Sequence, residues 1–128
     1  MSLLSGAAIF LGAGLGALLR WTLGHLLNPL FPALPPGTLA ANVVGALLMG
    51  IVLGVFAQYE AISPTLRLAV TTGFLGGLTT FSAFSAESTA LLLRGEYRWA
   101  FVHTALHVGA SLLATLGGMA GTHWLFKA

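Results

Sequence analysis

The chain contains no cysteine and very few charged residues. Without cysteine it cannot form a disulfide, a thiol nucleophile or a thiolate metal site. Charged residues make up 6% of its 128 residues and hydrophobic residues 57%, whereas a soluble protein carries roughly 25% charged residues. So little polar surface cannot cover a protein in water, which indicates that its solvent is lipid. The net charge of +2 is too small and too scattered for a nucleic-acid interface, so no nucleic-acid partner is expected.

The few charges divide the chain into long apolar stretches. No charged residue occurs in 1–19, 21–59, 68–86 or 99–126. A membrane-spanning helix needs about 20 apolar residues, and prolines at 32, 35 and 36 interrupt the longest stretch. The predicted spans are about 3–27, 38–59, 65–93 and 99–126. We therefore expect an all-α, multi-pass protein of the cell (inner) membrane, with one four-helix domain over 1–128 and its first apolar run retained as a helix.

The third predicted span contains a run that is unfavourable to a helix. Residues 71–82 include three glycines and four threonines, and we predict that the helix breaks mid-membrane at 76–80. Unwound backbone in a membrane needs partners from protein, water or an ion. Carbonyl oxygens freed at such a break suit a hard cation such as Na⁺. The alternative is a glycine kink whose backbone is satisfied by threonine hydroxyls.

Two aromatic residues and one amide are candidates for a polar path. Phe81 and Phe84 share a helix face and either pack against lipid or core, or offer ring edges that carry partial positive charge. Such edges stabilise a small desolvated anion without a fixed cation. Asn42 lies one turn into the second span, where a buried amide either bonds across helices or lines a polar path.

Other polar residues lie within or near the apolar stretches. Arg20 and Glu87 either reach towards an interface or guard an aqueous vestibule. On the fourth span, His103, His107 and Ser111 form a stripe at four-residue intervals. Two histidines at this spacing can bind zinc, but no third ligand lies nearby in the sequence. A polar stripe that faces a water-filled path or a partner helix is the favoured interpretation.

Small residues and the distribution of positive charge bear on assembly. Three glycine pairs at four-residue spacing predict close helix packing: Gly12/Gly16, Gly50/Gly54 and Gly117/Gly121. With four spans, Arg67 and Lys127 lie on one side of the membrane, while Arg94 and Arg98 lie on the other with Arg20 near them. This near balance gives no orientation by the positive-inside rule. It favours insertion in both orientations and an antiparallel dimer, the alternative being one orientation set by another signal.

Three segments together resemble the fluoride channels of the Fluc or CrcB family, over the whole chain. Residues 73–84, GFLGGLTTFSAF, resemble that family's GFxGGxTTFSxF signature, and residues 37–45, GTLAANVVG, look like its GTLxxNxxG stretch. Residues 12–21, GAGLGALLRW, are similar to its first-helix pattern ending in GAxxR. The chain departs from the family pattern at Leu75, where cysteine is common, and at Ala83, where threonine or serine is usual.

The resemblance implies an antiparallel, dual-topology homodimer with two pores at the subunit interface. It implies a structural Na⁺ at the dimer centre, held by the backbone carbonyls of Gly76 and Thr79. Arg20 would lie at the wide vestibule and Glu87 near the end of the pore. The residues implied to line the fluoride pore are Asn42, Thr80, Phe81, Ser82, Phe84, His103 and Ser111, with His103 at a position where many relatives have tyrosine.

The function implied is passive and selective export of fluoride, which relieves fluoride toxicity. The partners expected are therefore fluoride, the lipid bilayer and a second copy of the chain. The alternative is a small dual-topology, proton-coupled exporter of cations or drugs. Proteins of that class resemble one another in using a glutamate in the first helix, and no acidic residue occurs here before Glu60. No nucleophile–base pair or metal cluster suggests an enzyme.

Overall fold

Four long helical spans account for nearly all of the chain. The computed structural model describes residues 1–127, which contain helices and turns and no strand. The spans run over Leu3–Leu30, Pro36–Gln58, Pro64–Leu93 and Tyr97–Lys127 and are here called spans 1 to 4. All four are long and apolar enough to cross a membrane. The predicted all-α, four-span architecture is confirmed, and the chain is a multi-pass membrane protein.

Proline and asparagine determine how span 1 passes into span 2. The α-helix Leu3–Leu27 tightens into a 3₁₀ turn at Asn28–Leu30. Span 2 begins at Pro36, two residues before the predicted start, because proline fits the first helical turn, where its missing N–H is not needed. Oδ1 of Asn28 then accepts a hydrogen bond from the Thr38 N–H at 3.0 Å. One side chain therefore closes the first loop and caps the next helix.

Span 3 is interrupted at Thr79 and Thr80. Both residues are extended, with ψ of 154° and 119°, whereas Gly76–Leu78 is helical. The predicted break at 76–80 is therefore too wide, because glycine lowers helix propensity without preventing a helical turn. A new helix, Phe81–Leu93, starts where Oγ1 of Thr80 accepts from the Ala83 N–H at 3.0 Å. Threonine is a favoured residue at such a helix start.

Spans 3 and 4 each contain a wide helical turn that the sequence analysis did not predict. These π-helical turns cover Ala69–Leu75 and Leu106–Ala110. The first directly precedes Gly76–Leu78 and the interruption, and the second contains His107. Such turns are rare and often mark functional sites. Residues after such a turn are rotated about the helix axis relative to their positions in an ordinary α-helix. A regular helical period therefore no longer predicts which face of the helix they occupy.

Glycines allow the spans to cross at backbone distance. A Cβ at Gly12 would lie 2.5 Å from the Ala69 carbonyl oxygen on span 3, and one at Gly50 would overlap the backbone of Thr115 on span 4. The predicted packing at Gly12/Gly16 and Gly50/Gly54 is therefore confirmed. The prediction for Gly117/Gly121 is wrong within one chain, because a Cβ at either position would have no neighbour within 4 Å in the part of the chain that the structure describes. A neighbouring glycine at 118 makes the close contact with span 2 instead.

Spans 1 and 3 form one pair and spans 2 and 4 another, with a small shared core. Ala41, Leu75 and Leu78 are its fully buried centre. Many other large apolar side chains point outward, as expected where lipid replaces water. Aromatic contacts mark the two ends of the bundle: Tyr59 meets Phe126 at one end and Phe31 meets Trp99 at the other, with ring centroids 5.7 and 5.9 Å apart.

Candidate functional site

A cavity of about 320 Å³ lies beside the interruption of span 3. Its walls come from span 2, from the interruption and the helix that follows it, and from the wide turn of span 4. The lining residues are Asn42, Ala46, Thr79, Thr80, Phe81, Phe84, His107, Val108, Ser111 and Leu112. The cavity is open along one side.

The two phenylalanines of the resumed helix meet at the cavity. Phe81 and Phe84 contact edge to face, with ring centroids 5.4 Å apart and planes at 65°. Phe84 is 8% exposed and Phe81 is 79% exposed. One ring is therefore fixed in the protein, and the other projects from it. Both rings line the cavity, and the edges of aromatic rings carry partial positive charge.

Two histidines lie behind the buried phenylalanine. His103 stacks on Phe84 at 5.5 Å between centroids with planes 9° apart, and His107 lies 4.9 Å from the same ring. The two imidazoles are 4.4 Å apart. Ser88 Oγ lies 2.6 Å from His103 Nδ1 and 3.1 Å from the Thr104 hydroxyl. Of the polar stripe on span 4, His103 and His107 therefore face the helix that carries Phe84.

Asn42 bridges the interruption and span 4. Its Oδ1 accepts from the Thr80 N–H at 2.7 Å, and its Nδ2 donates to the Thr80 carbonyl at 3.0 Å. Nδ2 also lies 3.0 Å from Nδ1 of His107. Because the amide nitrogen can only donate, this imidazole nitrogen accepts, and the proton of neutral His107 resides on Nε2. That N–H is buried and has no hydrogen-bond partner within residues 1–127.

The two charged candidates lie outside the lining of the cavity. Arg20 donates from Nε to the Gly77 carbonyl at 3.1 Å, next to the interruption. Glu87 has both carboxylate oxygens buried without a hydrogen bond in the part of the chain described, and one lies 3.7 Å from His103 Nε2. Among residues 1–127, no three side chains of the metal-binding types come together to hold a metal ion. The zinc alternative therefore gains no support.

The structure brings most, but not all, of the predicted site residues together. Those that line the cavity are Asn42, Thr79, Thr80, Phe81, Phe84 and Ser111. Those that do not line it are Arg20, Gly76, Ser82, Glu87 and His103. Ser82 is exposed, and its hydroxyl lies 3.3 Å from the hydroxyl of Thr80.

Two residues of the site, His107 and Ser88, are not predicted individually from the sequence. His107, included only as part of the stripe, contacts both the cavity and Asn42. Ser88 was not singled out, although it lies one helical turn after Phe84 on the same face. That spacing is the sequence feature from which it could have been found.

A cavity lined by polar and aromatic residues, beside a helix interrupted inside a membrane bundle, is typical of proteins that move small solutes or ions across membranes. Comparison with known proteins narrows this class. The family model described as CrcB-like protein, Camphor Resistance (CrcB), matches residues 7–119. The chain belongs to the CrcB family, also known as Fluc. Membership of this family confirms that the chain is not an enzyme.

Individual relatives match almost end to end. A protein of Chromobacterium violaceum named fluoride-specific ion channel FluC is 55% identical over 118 residues, which cover 92% of this chain and 94% of that protein. Proteins with the same name from Aromatoleum aromaticum and Chromohalobacter salexigens are 57% and 58% identical. These matches cover 91% of this chain in both cases, and 90% and 89% of the respective relatives.

Proposed function

We propose that this chain is a passive, selective fluoride channel that lets the ion leave the cell and so relieves fluoride toxicity. The observation that carries the proposal is the edge-to-face pair of Phe81 and Phe84 at a cavity beside the interrupted span. Fluoride is small and strongly hydrated, so a selective path must replace its water with fixed partial charges. The name shared by the relatives gives the same ion.

The proposed path passes groups that attract an anion weakly. Ring edges of Phe81 and Phe84 carry partial positive charge, and the hydroxyls of Thr80 and Ser111 at the cavity can donate hydrogen bonds. Among residues 1–127, no lysine or arginine lines the cavity, so no full positive charge there would trap the ion. Ser82 and His103 belong to the proposed path at its margins, beyond the lining of the cavity. Weak, successive binding is what rapid conduction requires.

Arg20 and Glu87 take the proposed places at the vestibule and at the end of the pore. The Arg20 guanidinium bonds the Gly77 carbonyl, which holds a positive charge near the interruption without placing it in the cavity. Glu87 lies next to His103, with a carboxylate oxygen 3.7 Å from its Nε2, and neither residue lines the cavity. Because a carboxylate repels an anion, the proposed region that attracts fluoride ends before Glu87.

The proposed assembly is an antiparallel homodimer with two pores. Its support is the open side of the cavity and the 79% exposure of Phe81, which leave one wall of the path missing in a single chain. A second copy in the opposite orientation would supply that wall. The nearly equal numbers of positive residues at the two ends of the bundle agree with insertion in both orientations.

A structural Na⁺ at the dimer centre, bound by the carbonyls of Gly76 and Thr79, is the remaining part of the proposal. These residues fit a hard monovalent cation. Gly76 is exposed on the surface of span 3, and within residues 1–127 no hydrogen bond reaches the Thr79 carbonyl oxygen. Oxygen ligands are those that Na⁺ prefers. When bound, the ion would tie the two subunits together at their interrupted helices.

The test is fluoride efflux from liposomes that contain the purified protein, measured with a fluoride electrode under a potassium gradient and valinomycin. We expect rapid loss of fluoride, retention of chloride, and little flux after Phe81→Ile. Phe10→Ile is the matched control, because Phe10 is 78% exposed but lies on span 1. A well-folded protein that moves no fluoride would contradict the proposal, and proton-coupled cation exchange would be assayed next.

A further inference from the structure

The amide of Asn42 has no free donor hydrogen. An asparagine side chain carries two, and these go to the Thr80 carbonyl and to His107 Nδ1. Its oxygen takes the Thr80 N–H. The side chain therefore pairs with both polar groups of one backbone residue, as a neighbouring strand would. Whatever Asn42 contributes to the cavity, its direct effect is on the conformation of the chain at Thr80.

The first consequence concerns the Gly76 carbonyl. In an uninterrupted α-helix, the N–H of residue 80 would be donated to the carbonyl of residue 76. Here Asn42 Oδ1 accepts that N–H at 2.7 Å. Gly76 remains helical, with φ of −63° and ψ of −36°, so its carbonyl keeps the direction of the helix axis but loses the donor that would have satisfied it.

The second consequence concerns the Thr79 carbonyl. Residues 79 and 80 share one peptide group, which is planar and trans. In such a group the C=O and the N–H point in opposite directions. Because the N–H points at Asn42, the carbonyl of Thr79 points away from Asn42, and no donor within residues 1–127 reaches it.

We infer that Asn42 is a positioning residue for the cation site: it frees the Gly76 carbonyl and directs the Thr79 carbonyl away from its own side chain. The inference rests on the sodium site of the proposed function. A single side chain then links the wall of the anion path to the cation at the dimer centre. In the Thr79–Thr80 peptide group, the N–H is bonded to Asn42 in the wall of the cavity, and the C=O would be one of the ligands of the cation.

The test measures thermal unfolding of the purified protein in detergent while NaCl replaces N-methyl-D-glucamine chloride at constant ionic strength. Na⁺ that binds only the folded protein raises its melting temperature. We expect Asn42→Ala to raise the half-maximal Na⁺ concentration at least about tenfold, the equivalent of one lost interaction of about 1.4 kcal/mol. Asn42→Asp keeps an acceptor for the Thr80 N–H, so its response to Na⁺ should stay close to that of the unchanged protein.

The matched control is Thr115→Ala, which removes a hydrogen bond to the Ala46 carbonyl between spans 4 and 2 but none of the bonds between Asn42 and Thr80. This control should melt at lower temperature but respond to Na⁺ as the unchanged protein does. A full Na⁺ response in Asn42→Ala would overturn the inference. If that variant does not fold, a tenfold weaker response in Asn42→Asp would overturn it equally, because this variant retains the acceptor.

The fluoride assay separates this inference from the proposed function. Asn42→Asp places a carboxylate at the cavity, so we expect it to lose fluoride flux while keeping its Na⁺ response. An unchanged protein that conducts fluoride but melts at the same temperature with and without Na⁺ would overturn the inference and leave the channel intact. A protein that responds to Na⁺ but conducts no fluoride would contradict the channel alone.

Discussion

At the scale of single residues, the charged side chain of Arg67 caps the C-terminal end of span 2. Its guanidinium donates to the carbonyls of Phe56 and Tyr59 at the end of span 2, at 3.1 and 2.9 Å, and its Nε donates to that of Ile62. The guanidinium also lies 4.7 Å from the centre of the Phe56 ring. The last carbonyls of a helix have no partner within it, so one side chain closes both the helix and the loop.

We therefore expect Arg67→Gln to reduce the free energy of unfolding by about 1–3 kcal/mol, because the bonds come from a charged donor but are partly exposed. Thermal unfolding in detergent measures this effect. Arg94→Gln is the control, since Arg94 only forms an exposed ion pair with Glu96, and such pairs contribute about 0–1 kcal/mol. Equal decreases in the free energy of unfolding of the two variants would show that the Arg67 cap stabilises the protein no more than the exposed ion pair does.

Ser88 provides a second prediction for a single side chain. Its hydroxyl is buried and lies 2.6 Å from Nδ1 of His103, itself almost fully buried. Ser88→Ala leaves that nitrogen without a partner, which should cost about 1–3 kcal/mol of folding free energy. Ser85 is exposed on the same helix, so Ser85→Ala should have little effect in the same unfolding measurement. A stable Ser88→Ala protein would indicate that the imidazole finds another partner.

At the scale of helices, the sequence predicts the spans well and their irregular turns poorly. Hydropathy and proline place the four spans, because the length of an apolar stretch is read directly from composition. The weak helix formers of 71–82 indicate a break in span 3. They do not show that Asn42 accepts the Thr80 N–H and so stabilises the extended backbone there. That bond joins residues 38 positions apart. The wide turns at Ala69–Leu75 and Leu106–Ala110 also depend on packing that no local pattern records.

Site residues that lie in one regular helix could be predicted from the sequence, whereas contacts between different spans could not. Phe81 and Phe84 could be paired from their spacing, because both lie in one regular helix. Ser111 and His107 lie on span 4, where the wide turn changes which face they present. The sequence predicts the stripe that contains them, but the contact of His107 with Asn42 requires the positions of two spans in space.

Glycine packing between spans 1 and 3 gives a prediction at this scale. A Cβ at Gly16 would lie 2.7 Å from the backbone nitrogen of Leu78 and would overlap the Phe74 carbonyl. A Cβ at Gly14 would have no neighbour within 4 Å among the described residues. Gly16→Ala must push the spans apart, which should cost about 1–3 kcal/mol. Gly14→Ala should be neutral or stabilising by up to about 1 kcal/mol, because alanine favours a helix.

Thermal unfolding and the yield of folded protein after detergent extraction compare these two variants. Fluoride flux provides a second measurement, because the residues that a Cβ at Gly16 would meet include Gly77, which directly follows Gly76 on span 3. We expect flux to fall in Gly16→Ala and to persist in Gly14→Ala. Equal behaviour of the two variants would contradict the close crossing of spans 1 and 3.

At the scale of the whole molecule, the distribution of charge between the two ends decides how the chain enters a membrane. The contact of Tyr59 with Phe126 places the second loop and the end of span 4 together, and that end carries Arg67 and Lys127. The opposite end carries Arg94 and Arg98 beside the loop after span 1. Two positive residues at each end give almost no preference for either orientation.

This balance predicts that added lysines will control function. A variant with Glu60→Lys and Ala61→Lys should keep its second loop in the cytoplasm, and one with Leu30→Lys and Glu96→Lys should keep the opposite end there. A reporter fused to the C-terminus gives the orientation of each.

If the working unit is an antiparallel dimer, neither variant alone protects fluoride-sensitive cells, and the two expressed together restore resistance. All four positions lie in or beside loops, away from the cavity, so the loss is not expected from damage to the path itself. Full protection by one variant, with every copy in a single orientation, would show that a parallel arrangement of this chain suffices.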